Sequence, residues 1–173
     1  PNARIITRGQ ADREMSELLA RYPNSRQFRA TNYLAQKVFD LEFYLQGKNM
    51  LLLDSDVLFF ERPLELEIRS DSRSYSLNTL NRNSGFGYAM SSEAILKDFG
   101  IHLSGDINSG LGILQKGTLN IEWIEKWLQS EEIRKGHPHR IEQTLIAMCC
   151  VKSGFEYLPD SYNVYRGSTE SKY

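Results

Sequence analysis

Met50-Leu51-Leu52-Leu53-Asp54-Ser55-Asp56-Val57-Leu58-Phe59-Phe60 is the stretch on which the fold turns. It is apolar almost throughout, interrupted only by Asp54, Ser55 and Asp56. A continuous apolar run of this kind reads as a core strand buried on both faces. It is too short for a membrane span, which takes ~20 apolar residues. Upstream, Asn32 to Gln46 carries Tyr33, Leu34, Val38, Leu41 and Leu45 as a helical stripe closed by Gly47. Before it, Asp12 to Arg21 reads as a helix on Met15, Leu18 and Leu19, stopped at Pro23 and Asn24, and Arg4 to Thr7 as a short strand end.

Downstream, Pro63 closes the strand, Arg69 to Ser76 is turn-like, and Gly85 to Met90 reads as a short strand. Ser91 or Ser92 followed by Glu93 opens a helix that Gly100 ends. Ile107 to Gln115 is a second apolar strand, punctuated by Asn108, Ser109, Gly110 and Gly112. Asn120 to Ser130 and Ile141 to Val151 are helices, the first with Ile121, Ile124 and Leu128 on one face, and Phe155 to Leu158 is a last strand. Strands alternating with helices predict an α/β domain with a largely parallel sheet flanked by helices.

The chain has 173 residues, 40% hydrophobic and 25% charged, which suits one domain with a real core. Lys and Arg number 21 against 22 Asp and Glu, so the net charge of −1 gives no reason to expect a nucleic acid or an anionic membrane as partner. Cys149 and Cys150 are adjacent, a spacing that disfavours a disulfide between them, and no CxxC zinc pair accompanies them. They read as helix residues, one buried and one less so, in a reducing compartment; a cytoplasmic location is the expectation. The three histidines, His102, His137 and His139, do not have the spacing of a zinc site.

The chemistry of the opening stretch lies in Asp54 and Asp56. Side chains two apart on a strand point the same way, so two carboxylates would converge at the end of a buried strand. That is electrostatically costly unless something neutralises them, and a divalent cation with a taste for oxygen, Mg²⁺ or Mn²⁺, does so. Such an ion can bridge to a diphosphate leaving group, and open α/β sheets bind ligands beyond the carboxyl ends of their strands. The plainer alternative is a strand end satisfied by solvent, Arg or backbone N–H groups. Two enzyme classes use the pattern: metal-dependent glycosyltransferases, and haloacid-dehalogenase-like phosphatases in which Asp54 would be the nucleophile. The phosphatase pattern turns sharply after its second Asp, whereas Val57 to Phe60 reads as continuing strand, and Gly105-Asp106 is followed by no second Asp.

Four further segments, in order, add specificity. Ile107-Asn108-Ser109-Gly110-Leu111 resembles the Asn-Ser/Ala-Gly strand of GT-A-fold, nucleotide-sugar-dependent glycosyltransferases. Glu142-Gln143 resembles their acidic-Gln pair at a helix start, and Leu158-Pro159-Asp160-Ser161-Tyr162-Asn163-Val164 their Leu-Pro-x-x-Tyr/Trp-Asn segment. Lys37 stands about where they place a donor-binding Lys. The nearest group is the glycogenin-like (family 8-like) retaining transferases, and the resemblance spans roughly Lys37 to Val164. It implies a GT-A, Rossmann-like fold with a mixed, mostly parallel sheet flanked by helices, and transfer of a sugar, a UDP-sugar above all, to an unknown acceptor with Mn²⁺ or Mg²⁺.

Asp54 and Asp56 would then hold the metal, and Lys37, Ser55, Asn108, Ser109 and Gly110 would bind donor or acceptor. Asp106, Glu142 and Gln143 remain alternatives for the residue nearest the anomeric carbon, and retention follows from the resemblance alone. It further implies that residues 1–173 form one catalytic domain without the family's first nucleotide-binding strand and its late metal-binding His. From the residues themselves, Asn108 offers amide groups to sugar hydroxyls, and Gly110 and Gly112 would let a ligand approach the backbone. A non-catalytic nucleotide-sugar-binding module stays open as a third reading. Trp123 and Trp127, at i and i+4, read as a packing face. A basic bias at the front, Arg4, Arg8, Arg13, Arg21, Arg26, Arg29 and Lys37, fits phosphate contacts or a solvated helix face.

Overall fold

The computed structural model describes residues 4–66, 78–82, 87–103 and 107–162, with the side chain of Asn81 left out. Arg4 to Thr7 forms no strand; Thr7 instead caps α1 (Arg8–Leu18), its hydroxyl accepting from the Gln10 N–H. Pro23, expected only to stop a helix, opens the next one as its first residue, α2 (Pro23–Thr31). The proline ring suits a first helical turn, whose N–H groups have no helical partner, so only a 3-10 turn (Leu19–Arg21) and Tyr22 separate α1 from α2. The helix that follows, α3 (Ala35–Tyr44), begins after an Asn32 whose Oδ1 accepts from the Leu34 N–H.

β1 (Asn49–Leu53) ends before the acidic pair. Met50 and Leu52 are buried while Leu51 and Leu53 are 41% and 46% exposed. The strand is therefore covered on one face, and the leucine run had suggested two. β2 (Asn78–Arg82) is too polar to be read as a strand, yet it lies inside the sheet. Its Asn78 is fully buried and fully bonded: Nδ2 donates to the Gly154 carbonyl, and Oδ1 accepts from the Gln115 N–H and the Thr118 hydroxyl, each at 2.8 Å.

α4 (Ser92–Phe99) starts on the Ser91 cap and ends at Gly100 in the left-handed region. β3 (Ile107–Gln115), α5 (Ile121–Trp127), the short α6 (Glu131–Arg134), α7 (Pro138–Ser153) and β4 (Phe155–Tyr157) complete the order.

The four described strands lie in the order β1-β3-β2-β4. β3 is antiparallel to both β1 and β2, and only β2 and β4 run parallel. The fold is α/β with a mixed sheet, and the expected mostly parallel arrangement is corrected: half-covered strands such as β1 belong to antiparallel pairing. The main core lies between the sheet and α1, α3, α5 and α7. Leu66, Leu111, Ile113 and Leu158 form a smaller cluster, against which Val57 and Tyr162 pack.

α7 is buried from Ile141 through Cys150. Both cysteines are enclosed, not one, and burial pushes the Cys149 thiol up to about 12 and Cys150 upward as well. Trp127 is core and Trp123 packs against it, as the helical spacing implied. Among the described residues no helix is long and apolar enough to cross a membrane.

Candidate functional site

β3 is irregular where the site lies. Leu80 stands opposite Gly112 while the next residue, Asn81, stands opposite Asn108, so Ser109, Gly110 and Leu111 have no partner on β2. The side-chain alternation slips there. Ile107 packs in the main core, but Leu111 and Ile113, an even number of residues on, pack in the second cluster. A bulge of this kind redirects side chains. It leaves Ser109 facing α7, where its hydroxyl donates to Glu142 Oε2 at 3.1 Å.

The two glycines have different neighbours. A Cβ on Gly112 would lie 2.5 Å from the Thr79 carbonyl oxygen, so that glycine admits β2 and not a ligand. A Cβ on Gly110 would lie 2.9 Å from Asp54 Oδ2 and 2.9 Å from Asn108 Oδ1. Gly110 thus makes room for the Asp54 carboxylate. Its carbonyl also accepts from the Asp54 N–H at 2.8 Å, and its own N–H donates to Asn108 Oδ1 at 2.7 Å. The Asn108 amide nitrogen remains for other hydroxyls.

Lys37, from α3, bridges the carboxylates. Its Nζ is 2.9 Å from Asp54 Oδ1 and 3.2 Å from Glu142 Oε1. The second contact is an ion-pair distance without hydrogen-bond alignment, and Oε1 has no hydrogen-bond partner among the described residues. Asn32 holds the two helices in this relation, its Nδ2 donating to the Pro138 carbonyl at the start of α7. The Glu142 side chain is 3% exposed. Burial raises its carboxyl from the ordinary 4.5 to about 7; Asp54 adds to the rise, and Lys37 and Ser109 hold it back. A buried carboxyl poised near neutrality, sharing one lysine with a second, half-exposed carboxylate, can exchange a proton at working pH.

Lys37, Asp54, Asn108, Ser109, Gly110 and Glu142 are therefore brought together. Ser55 and Asp56 are not on a strand: the chain turns after β1, with the Val57 N–H donating to the Asp54 carbonyl, and both residues are exposed. The expectation that Asp54 and Asp56 share one strand face is corrected, because the apolar run ends as sheet at Leu53. Gln143 is buried one residue beyond Glu142, about 100° further round α7. Asp106 and Asn163 lie outside the described residues. The Leu158 segment packs the second face: Leu158 is buried there, and the Tyr162 hydroxyl donates to Glu65 Oε2 at 2.6 Å.

Among the described residues no group of three His, Cys, Asp or Glu side chains could hold a metal. The donors at the β1 exit still suit Mn²⁺ or Mg²⁺ in kind. Asp54 is 41% exposed, with one oxygen on Lys37, and Mg²⁺ is commonly held by one or two carboxylates plus substrate phosphates. Two features had no sequence signal. One is the Tyr33 hydroxyl 2.6 Å from His139 Nε2 at the start of α7; the other is a second charged triad in which Arg29 joins Asp12 and Asp40. No protein-family model matches the chain, and neither does a curated protein or a solved structure.

Proposed function

We propose that this chain carries out metal-assisted transfer of a sugar from a nucleotide-diphosphate donor, a UDP-sugar first of all, on a GT-A-like fold. The observation that carries the reading is one lysine ammonium held between Asp54 and the buried Glu142 beside a glycine-cleared bend of β3. Asp54, with Asp56 from the adjoining turn, would hold Mn²⁺ or Mg²⁺, and the chemistry supplied there is neutralisation of charge on the departing diphosphate. Lys37 lies within reach of the same charge and can exchange its Asp54 contact for a phosphate oxygen.

Glu142, titrating at about 7, gives or takes a proton near neutrality, and the Ser109 hydroxyl orients it. Asn108, Ser109, Gly110 and Ser55 keep the donor or acceptor contacts that the resemblance implies. Asp106 and Gln143 keep the sugar-side roles that the resemblance implies, as does retention of configuration. A cytoplasmic location, from the reduced cysteines, belongs to the same reading.

A thermal-shift panel of nucleotide sugars with and without Mn²⁺ tests it. The expected result is a UDP-sugar shift that requires Mn²⁺ and disappears in Asp54→Asn. If no nucleotide sugar moves the melt, the reading falls. Binding without donor hydrolysis or transfer would leave a nucleotide-sugar-binding module. The turn from Asp54 to Val57 favours a second reading, because a chain that bends at the acidic pair meets the phosphatase pattern better than a continuing strand. Phosphate release from a generic phosphoester, lost in Asp54→Asn, would select that reading.

A further inference from the structure

The basic bias at the front of the chain is only partly accounted for by Lys37. Three of its arginines, Arg8, Arg26 and Arg29, line a cavity of about 460 Å³ between α1, α2 and the start of α3. That volume lies within the usual range for small-ligand sites, ~300–1,000 Å³. The charges on its wall do not cancel. Arg29 is fully engaged: Nε and Nη2 donate to the two oxygens of Asp40, and Nη1 donates to Asp12 Oδ1. Its side chain is 9% exposed, so the guanidinium forms a fixed floor.

Asp12 is largely spent on Arg29, since its contact with Arg8 is 3.7 Å long and Arg8 is 82% exposed. Arg26 is exposed and has no ion-pair partner among the described residues. Three guanidiniums thus face two carboxylates, one positive charge in excess, with two forks directed to no strong partner.

Helix polarity deepens the imbalance. Arg8 is the first residue of α1, and the first turn of that helix holds no acid. A cation at a helix N-terminus is disfavoured by the dipole, whereas an anion there is favoured. The α2 N-terminus is already satisfied, because Glu125 accepts from the Asn24 and Ser25 N–H groups. The remaining wall is mixed, with Met15 and Leu19 at one side and Thr31, Gln36 and the 64% exposed ring of Tyr33 at the other. Paired guanidinium forks recognise phosphate oxygens in bidentate fashion, and polar and aromatic groups beside them suit a ring bearing hydroxyls.

We propose that this cavity binds the phosphate monoester of a small polar molecule, of sugar-phosphate size, with Arg8 and Arg26 on the phosphate. The site is separate from Lys37 and Asp54 and does not rest on the transferase reading. Calorimetric titration with glucose 6-phosphate at low salt and in EDTA tests it, EDTA keeping a metal-dependent site out of the measurement. Glucose 6-phosphate is expected to bind, glucose not to bind, and citrate to bind at least about tenfold more weakly.

Arg26→Gln and Arg8→Gln should each weaken binding by about tenfold or more, the loss expected for one charge-assisted contact. Both side chains are exposed, so unchanged melting without ligand verifies the fold. Arg13→Gln, an exposed α1 arginine outside the cavity lining, should bind as the parent does. The proposal is overturned if glucose 6-phosphate does not bind, if Arg26→Gln binds it normally, if citrate binds equally well, or if Arg13→Gln abolishes binding.

Discussion

Two charged triads are built around α3, and they differ in almost everything except composition. Each sets one cation against two carboxylates. In the first, Arg29 meets Asp40 through two parallel hydrogen bonds of 2.7 Å and Asp12 through a third of 2.8 Å. The planar fork satisfies both acids in the geometry that carboxylates prefer. In the second, Lys37 spreads a point charge over Asp54 and Glu142 at 2.9 and 3.2 Å, and leaves one Glu142 oxygen without a hydrogen bond. The first triad is finished, and the second retains charge-bonding capacity that a ligand or a proton can use. Unmet electrostatic demand inside a packed domain is the stronger mark of a functional site.

The largest effect belongs to the finished triad. Arg29→Ala leaves Asp40 and the Asp12 side of the cavity uncompensated, with Asp40 only 11% exposed. Breaking a buried pair from one side costs about 3–5 kcal/mol. Chemical denaturation should register a loss of that order at neutral pH, and a smaller one below the range in which carboxylates ionise. A loss under 1 kcal/mol would mean that the pair is solvated and that the two triads are alike.

Glu142 provides the next test, through pH. Its carboxyl sits at about 7 in the folded chain against an ordinary 4.5. The folded state therefore holds its proton over a window in which the unfolded chain has released it. Stability from this group is greatest below 4.5, falls as pH rises to about 7, and is level above that. The shift corresponds to about 3 kcal/mol. Glu142→Gln removes the titration and keeps an oxygen for the Ser109 hydroxyl. The stability of the parent minus that of Glu142→Gln should fall by about that amount between pH 4.5 and 7.5. A flat difference would show that Lys37 neutralises Glu142 fully, which would erase the contrast between the triads.

How far these regions could be read in advance depended on the range of the forces involved. Local signals held: Ser91 and Gly100 bracket α4, Ile107 to Gln115 is β3 residue for residue, and Phe155 opens β4. Where one residue serves two elements, as Pro23 does, local rules returned half of the answer. β2 was missed because its strand character rests on Asn78, whose three side-chain bonds reach Gly154, Gln115 and Thr118, far along the chain.

The Lys37, Asp54 and Glu142 positions came from motif resemblance and do converge. Their energetics were not legible. Glu142 looked like the acidic half of a pair at a helix start, and only the enclosure of α7 makes it a strained acid. Leu53 looked like mid-strand, but β1 ends there and the chain turns at once, the Val57 N–H donating to the Asp54 carbonyl. The Arg29 triad had no signal, because Asp12, Arg29 and Asp40 lie on three different helices.

The smallest effect separates site chemistry from stability. At Gly110 the new methyl of an alanine would crowd the ends of two side chains, Asp54 and Asn108, and no backbone atom. Asp54 is 41% exposed and can swing toward solvent, so the fold gives way cheaply. Gly110→Ala should change stability by less than about 1 kcal/mol, below the 1–3 kcal/mol typical of overpacking a rigid core. It should nevertheless separate Asp54 from Lys37. The ammonium then belongs to Glu142 alone, which draws the Glu142 titration down from about 7. Repeating the pH comparison against Glu142→Gln in the Gly110→Ala background measures this directly: the window of falling stability should narrow from its upper end. If the window stays where it was, Asp54 does not compete with Glu142 for Lys37, and the second triad is two independent pairs.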